Sequence, residues 1–286
     1  MSAPIVPIHA TLETTVAQGV AHVELDRPAS LNSLTREVFE DLVEAGCALR
    51  ERAEVRAVVL SGRGRAFSAG LDVSEFAGLA EATGPERGSA VVLGEQMGAA
   101  RALAQQAVHV WSLVEVPVIA AVNGPALGGG MQIALGADLR IAHPDSRFAL
   151  METKWGIIPD MCGTQLLPRL VGQGMAKRLI LTAETIDGTE AHRIGLVEEL
   201  AEAPVERALE LAADLAGRSR SALVHAKSLV DLAYRVPLAD GLDAEQQALS
   251  ELLGTEEQRS AVVAQLALLS SRGGRGERDR TADREH

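Results

Sequence analysis

The chain has 286 residues, with 27 Lys and Arg against 39 Asp and Glu, a formal net charge of −12 at pH 7. With 47% apolar and 23% charged residues, the composition excludes a disordered chain and fits a globular protein of one large domain or two ordinary ones. The negative balance speaks against nonspecific nucleic-acid binding, which depends on phosphate neutralisation, and 2% aromatics leave little for base stacking. Cys47 and Cys162 lie far apart, outside any CxxC and away from His, so they read as reduced thiols. No metal-ligand spacing is present. The opening MSAPIVPIHA has no basic start, and no apolar run approaches ~20 residues, so neither a signal peptide nor a membrane span is expected. A soluble cytoplasmic protein is the expectation.

In chain order, Leu12 to Leu25 reads as a hairpin turned at Gln18-Gly19, with Ala21, Val23 and Leu25 alternating against His22 and Glu24. His22 is expected as an outward strand residue. Arg27-Pro28 ends the strand. A helix follows from near Thr35, a candidate N-cap, with Leu34, Val38, Leu42, Ala45 and Leu49 as its apolar stripe. Apolar runs at Val55 to Leu60, Pro117 to Val122, Leu139 to Ala142 and around Phe148 to Met151 predict further strands. Gly94 to Leu113 reads as helical. This alternation predicts an α/β fold with ligands at the loops after the strands. From Thr189 onward the spacing is helical: Thr189 to Val197, Val205 to Gly217, Ser221 to Leu232 and Leu238 to Leu253. The organisation expected is an α/β core over 1–190, a helical region over 191–270 and a flexible polar tail over 271–286.

Three loops carry the unusual residues. The first, GRGRAFSAGLD from Gly62 to Asp72, has no GxGxxG, no P-loop Lys and no GxSxG elbow. It reads as a plain glycine turn, or as one whose Ala69-Gly70 pair lets backbone approach a ligand. In the second, NGPALGGG from Asn123 to Gly130, three glycines open a helix. They serve close packing against a strand or a helix N-terminus that holds an anion or a developing oxyanion. The third, ETKWGIIPD, sets Glu152 beside Trp155 and two Ile. That Glu is either a solvated strand-end residue or a carboxyl whose apolar surroundings let it exchange protons near neutrality.

Together RAFSAGLDVSEF, AAVNGPALGGG and FALMETKWGIIPDMCGTQLLPRLVG, with RPASLNSLT at 27–35 and EAHRIGLVEE at 190–199, resemble the crotonase family, the enoyl-CoA hydratase/isomerase superfamily. The resemblance covers roughly 12–260. It implies a spiral of repeated ββα units with C-terminal helices that mediate trimerisation, as a homotrimer or a dimer of trimers. It implies an acyl-CoA thioester as substrate, with coenzyme A part of that substrate and no separate cofactor or metal; the −12 charge and the lack of a long apolar run leave no nucleic-acid or membrane partner expected. Carried over, the oxyanion hole is the N–H of Leu71 and the N–H of Gly129. The CoA contacts fall at Arg27, Ala29 and Leu31 and at Ala66, Ser68, Ala69, Gly70 and Leu71. The family's basic, aromatic nucleotide-holding motif is weak here, because EEQRSAVVAQLALL offers only Arg259 and no aromatic. The acyl pocket is expected between Val73 and Val110.

One departure bears on the chemistry. The hydratases of the family use two glutamates, and one matches Glu152. The other position is Gln132, whose amide cannot exchange a proton at neutral pH. Asp160, eight residues after Glu152, matches an acidic position of the family's dienoyl-CoA isomerases; it reads equally as a cap of the helix that begins near Cys162. The resulting expectation is double-bond migration or hydration of an enoyl-CoA, with Glu152 as principal acid/base and Gln132 facing it across the thioester plane. A true hydratase despite Gln132, or a non-catalytic acyl-CoA-binding paralogue, are the alternatives.

Overall fold

The expected hairpin forms. In the computed structural model, which describes residues 5–75, 93–267 and 269, β1 (Leu12–Ala17) and β2 (Val20–Leu25) pair antiparallel. They turn at Gln18 and Gly19, both at positive φ (50° and 82°). Next to β2 lie β3 (Ala57–Gly62), β6 (Val118–Val122), β8 (Leu139–Ala142) and β11 (Glu199–Leu200), in that order and all parallel. β3 and β6 are buried along their whole length, which is why VVL and VIAAV run apolar without alternation. A second, small sheet joins β7 (Pro125–Leu127) to β9 (Arg147–Ala149) in parallel and β9 to β10 (Ile186–Asp187) in antiparallel.

Helix α1 (Arg36–Arg50) starts after Thr35, whose side chain makes no capping bond, and buries Val38, Leu42, Ala45 and Leu49 as the stripe predicts. The helix expected over Gly94 to Leu113 is half wrong. Residues 93–102 form a hairpin of β4 (Leu93–Met97) and β5 (Ala100–Ala102), and only α2 (Leu103–Leu113) is helical. Gly98, at φ 54°, turns the hairpin, and burial alternates at Ala100, Arg101 and Ala102. α1 and α2 approach closely because position 46 is glycine: a Cβ there would lie 2.4 Å from a Val110 methyl.

The rest of the first unit is α3 (Gly129–Leu135), α4 (Gly163–Thr182), α5 (Gly188–Arg193) and α6 (Pro204–Ala216). α4 is kinked at Gly172, at φ 77°. α5 is shorter than the Thr189 to Val197 expected, because Gly195 turns the chain at φ 79° into β11. α6 covers one face of the large sheet, setting Ala208 and Ala212 against Val59, Ile119 and Ile141. Arg140, 1% exposed, donates to the carbonyls of Leu196 (2.7 Å) and Ala137 (3.0 Å) and pairs with Glu198, which fixes the approach to β11.

The chain divides into two compact units that meet at Ala216 and Gly217. The second contains α7 (Arg220–Leu232), α8 (Leu238–Leu252) and a further helical stretch over 256–267. Ser219 caps α7 by accepting from the Ala222 N–H (3.2 Å) while its hydroxyl donates to Glu257 (2.7 Å). Among the described residues no helix is long and apolar enough to cross a membrane. The expected tail at 271–286 lies outside the described residues.

Candidate active site

The loop after β3 is held by two buried side chains. Asn32, at φ 55°, donates its amide to the carbonyls of Ala66 (2.8 Å) and Arg63 (3.1 Å). The Ser68 hydroxyl donates to the Asn32 carbonyl (2.7 Å). The backbone then runs alongside β7: the Ser68 N–H donates to Pro125 (3.0 Å) and the Leu127 N–H to Ser68 (3.0 Å). Gly70 sits at φ 90°, where a Cβ would lie 2.6 Å from the Leu127 carbonyl oxygen. The Leu34 N–H donates to the Gly70 carbonyl and the Asp72 N–H to the Leu34 carbonyl. This pairing leaves the Leu71 N–H on the other side of the chain, with no acceptor among the described residues.

The glycine triplet packs closely and opens a helix. Gly130 packs against Ser68, whose carbonyl oxygen would be 2.6 Å from a Cβ. Gly128, at φ 50°, is the N-cap of α3, and its N–H donates to Ala149 (2.8 Å). Gly129 is therefore the first helical residue, whose N–H has no intrahelical partner and no acceptor among the described residues. The two turns adjoin: the Cβ direction of Gly70 ends 3.7 Å from the Gly129 nitrogen.

Glu152 opens a single 3₁₀ turn, Glu152–Trp155, that ends at Gly156 in the left-handed region. It is only 7% exposed. Its Oε1 accepts from the Gln132 amide at 2.7 Å, and its Oε2 is buried without a hydrogen-bond partner. Burial pushes its pKa upward, and the negative charge of Asp160 adds to that. Its own backbone N–H and the Gln132 amide oppose the rise. Asp160 is also pushed up by burial. Cys162, beside it, is raised to about 11, so its thiol is protonated at neutral pH and is no nucleophile.

These groups share one cavity of about 580 Å³. Leu71, Gly129, Gln132, Glu152 and Asp160, the five residues expected to be catalytic, all line it. Asp160 thus faces the cavity, and α4 begins at Gly163 without a side-chain cap. Gln132 does not stand across from Glu152: the two side chains are directly bonded on one side of the cavity, a correction that follows from their 2.7 Å contact. The remaining wall is apolar, with Phe39, Val73, Ala104, Met151 and Met161, and Trp155, Ile157 and Ile158 at an exposed edge. Phe39 and Met161 went unread in the sequence. Phe39 sits beside the α1 stripe rather than on it, and Met161 lies in a loop with no periodicity. Among the described residues no cluster of three or more His, Cys, Asp or Glu could hold a metal.

The model of the enoyl-CoA hydratase/isomerase family matches residues 15–266. The chain belongs to that family. A short-chain-enoyl-CoA hydratase of Clostridium acetobutylicum is 38% identical over 248 residues, 86% of this chain and 90% of its own. An enoyl-CoA isomerase/hydratase of Mycosarcoma maydis is 33% identical over 262 residues, 86% of this chain and 89% of its own. Among solved structures, the enoyl-CoA hydratase of Bacillus anthracis superposes with a TM-score of 0.78 at 33% identity, covering 89% of this chain and 95% of that one. The fold is accordingly crotonase-like, and this crotonase is an enzyme acting on acyl-CoA.

The residues expected to contact CoA divide in two. Ala69 and Leu71 reach the cavity; Arg27, Ala29, Leu31, Ala66, Ser68 and Gly70 do not line it. The Arg27 guanidinium is committed to the Ser33 carbonyl and lies 4.0 Å from Asp72. Ala66 and Ser68 are fully buried and closed to a ligand, whereas Arg27 is part-exposed and Ala29 is exposed. Of the acyl-pocket stretch expected between Val73 and Val110, Val73 and Ala104 line the cavity, and residues 76–92 lie outside the described residues. His22 is half-buried in β2 against the Ser61 hydroxyl (2.7 Å) and does not line the cavity.

Proposed function

We propose that the protein shifts the double bond of an enoyl-CoA thioester, with Glu152 carrying the proton and the Leu71 and Gly129 N–H groups receiving the thioester oxygen. Glu152 Oε2 takes a proton from the carbon beside the double-bond system. The electron pair moves onto the thioester oxygen, where two prearranged donors stabilise it. A proton is then delivered to a different carbon of the same chain, either the same one back from Glu152 or one from a protonated Asp160 that Glu152 afterwards reprotonates, so the mass of the substrate is unchanged. The observation that carries this reading is the state of Glu152. It is a buried carboxylate with one oxygen unpartnered, in the same cavity as two unpaired backbone donors. In this reading the CoA moiety runs along the backbone of 27–31 and 66–71. The exposed apolar side chains of the second unit, among them Val230, Leu238 and Leu249, support self-association as a trimer or a dimer of trimers.

Incubation of the purified protein with a panel of enoyl- and dienoyl-CoA thioesters, read by mass and ultraviolet absorbance, separates the chemistries. Unchanged mass with shifted absorbance is the expected result. A gain of one water in most products would replace isomerisation by hydration.

Hydration is the second reading, favoured by the relative from Clostridium acetobutylicum, which is named a hydratase. It requires a group beside Glu152 that can exchange a proton with water, and Gln132 cannot. Gln132→Glu places a second carboxyl at that point. We expect it to raise the rate of water addition about tenfold or more, the scale of a restored acid/base group. No gain would show that the residue at this position does not decide between the two reactions.

A further inference from the structure

The side-chain amide of Gln132 can face Glu152 with its NH2 or with its carbonyl, and the two orientations have opposite consequences for a carboxylate. A backbone group decides between them. The Gly163 N–H lies 3.0 Å from Gln132 Oε1, and a backbone N–H can only donate. The carbonyl end is thereby taken, and Nε2 is turned onto Glu152 Oε1 at 2.7 Å. Gly163 is the first residue of α4, so its N–H has no acceptor within the helix. It follows Cys162, which holds a left-handed conformation (φ 67°) as the N-cap. Only glycine leaves the amide its place: a Cβ at position 163 would lie 2.7 Å from Gln132 Oε1 and 3.0 Å from both Cδ and Cγ.

We propose that Gln132, locked by the Gly163 N–H, is a positioning residue that pins Glu152 through Oε1, favours its ionised form and leaves Oε2 as the one oxygen that exchanges protons. This rests on Glu152 being the acid/base group. The lock also fixes a division of labour. A freely turning carboxylate could present either oxygen to the substrate; here one is tied to a donor and the other stands unpartnered. Of the groups around Glu152, Asp160 is titratable and disfavours its charge, Cys162 beside Asp160 is a neutral thiol, and Gln132 is the side chain that favours the charged form. Gln132, with the backbone N–H of Glu152 itself, opposes part of the rise that burial and Asp160 impose, which leaves Glu152 raised on balance but more ionised than it would be without the amide.

The test is the pH profile of kcat/KM for the isomerised thioester, with wild type, Gln132→Met, Gly163→Ala, the double variant and Glu152→Gln. Loss of a hydrogen bond to a charged group moves the acidic limb upward by about one pH unit. We expect that shift in Gln132→Met and in Gly163→Ala, which touches neither Glu152 nor the substrate. On the acidic limb, below the pKa it reports, the rate should fall about tenfold in each, with KM changed less than about twofold. Because both act through one bond, the double variant should shift no further than either single one. A merely structural change would lower the melting temperature without moving the limb. An unmoved limb in both variants, or a shift in Gln132→Met that Gly163→Ala does not share, overturns the lock. Should Gln132→Met fail to fold, Gly163→Ala alone decides. Turnover retained by Glu152→Gln would instead sink the underlying assignment of Glu152, so the two failures are distinct.

Discussion

Gly129→Val should lower turnover by about 10²–10³, the loss expected when one donor to a developing oxyanion is removed. The position is closed on both sides. A Cβ there meets Leu34 Cδ1 at 2.8 Å and the Met161 sulfur at 2.9 Å, so a branched side chain must displace the start of α3. The N–H moves with it. The effect should fall on kcat more than on KM, since the charge it stabilises exists only in the transition state. The neighbours are both buried, so some stability is lost as well, and turnover must be compared below the melting temperature of the variant. Normal turnover in a folded Gly129→Val protein would place the oxyanion hole elsewhere.

Glu152→Gln should lose turnover by about 10³ or more, because it removes the acid/base group outright. Its fold should not suffer. The Gln132 amide that donates to Glu152 Oε1 at 2.7 Å can donate to an amide oxygen in the same place. The direction of the pKa shift gives a further expectation. Burial raises Glu152 in the folded state, so its stabilising contribution is present at low pH and is lost as pH rises through the folded value. Above its folded value, the wild type carries the cost of a buried charge that the variant lacks. Glu152→Gln should therefore melt at the same temperature as wild type or higher at pH 8, and bind a thioester analogue with nearly unchanged affinity. A variant that melts well below wild type would show that the carboxylate is needed for folding rather than for proton transfer.

Much of this was legible in the residues. The parallel strands announced themselves because burial on both faces needs unbroken apolar runs such as VIAAV, and the α1 stripe because one face of that helix packs inward. The hairpin at 93–102 was hidden for the opposite reason. Its Gln, Met and Ala residues are good helix formers, and its alternation spans only Ala100 to Ala102, while the turn is just Gly98 and Ala99. The five residues of the expected site meet in one cavity because they lie in the loops after strands or in the first turn of the helix that follows, which sequence order alone conveys. The direct bond from Gln132 to Glu152 was not conveyed. It depends on Gly163, which is 31 residues from Gln132 along the chain and contributes only a backbone N–H. A backbone donor has no signature in the identity of the side chain, except that glycine leaves room for what it binds.

The most direct test of the central claim is deuterium incorporation into the acyl chain of an enoyl-CoA in heavy water, comparing wild type with Glu152→Gln by mass. The account predicts label at the exchanging carbon in wild type and none above background in Glu152→Gln, with the thioester still bound. Label appearing at the wild-type rate in Glu152→Gln would contradict it, taking Glu152 out of the proton path and leaving Asp160 as the carboxyl that moves the proton.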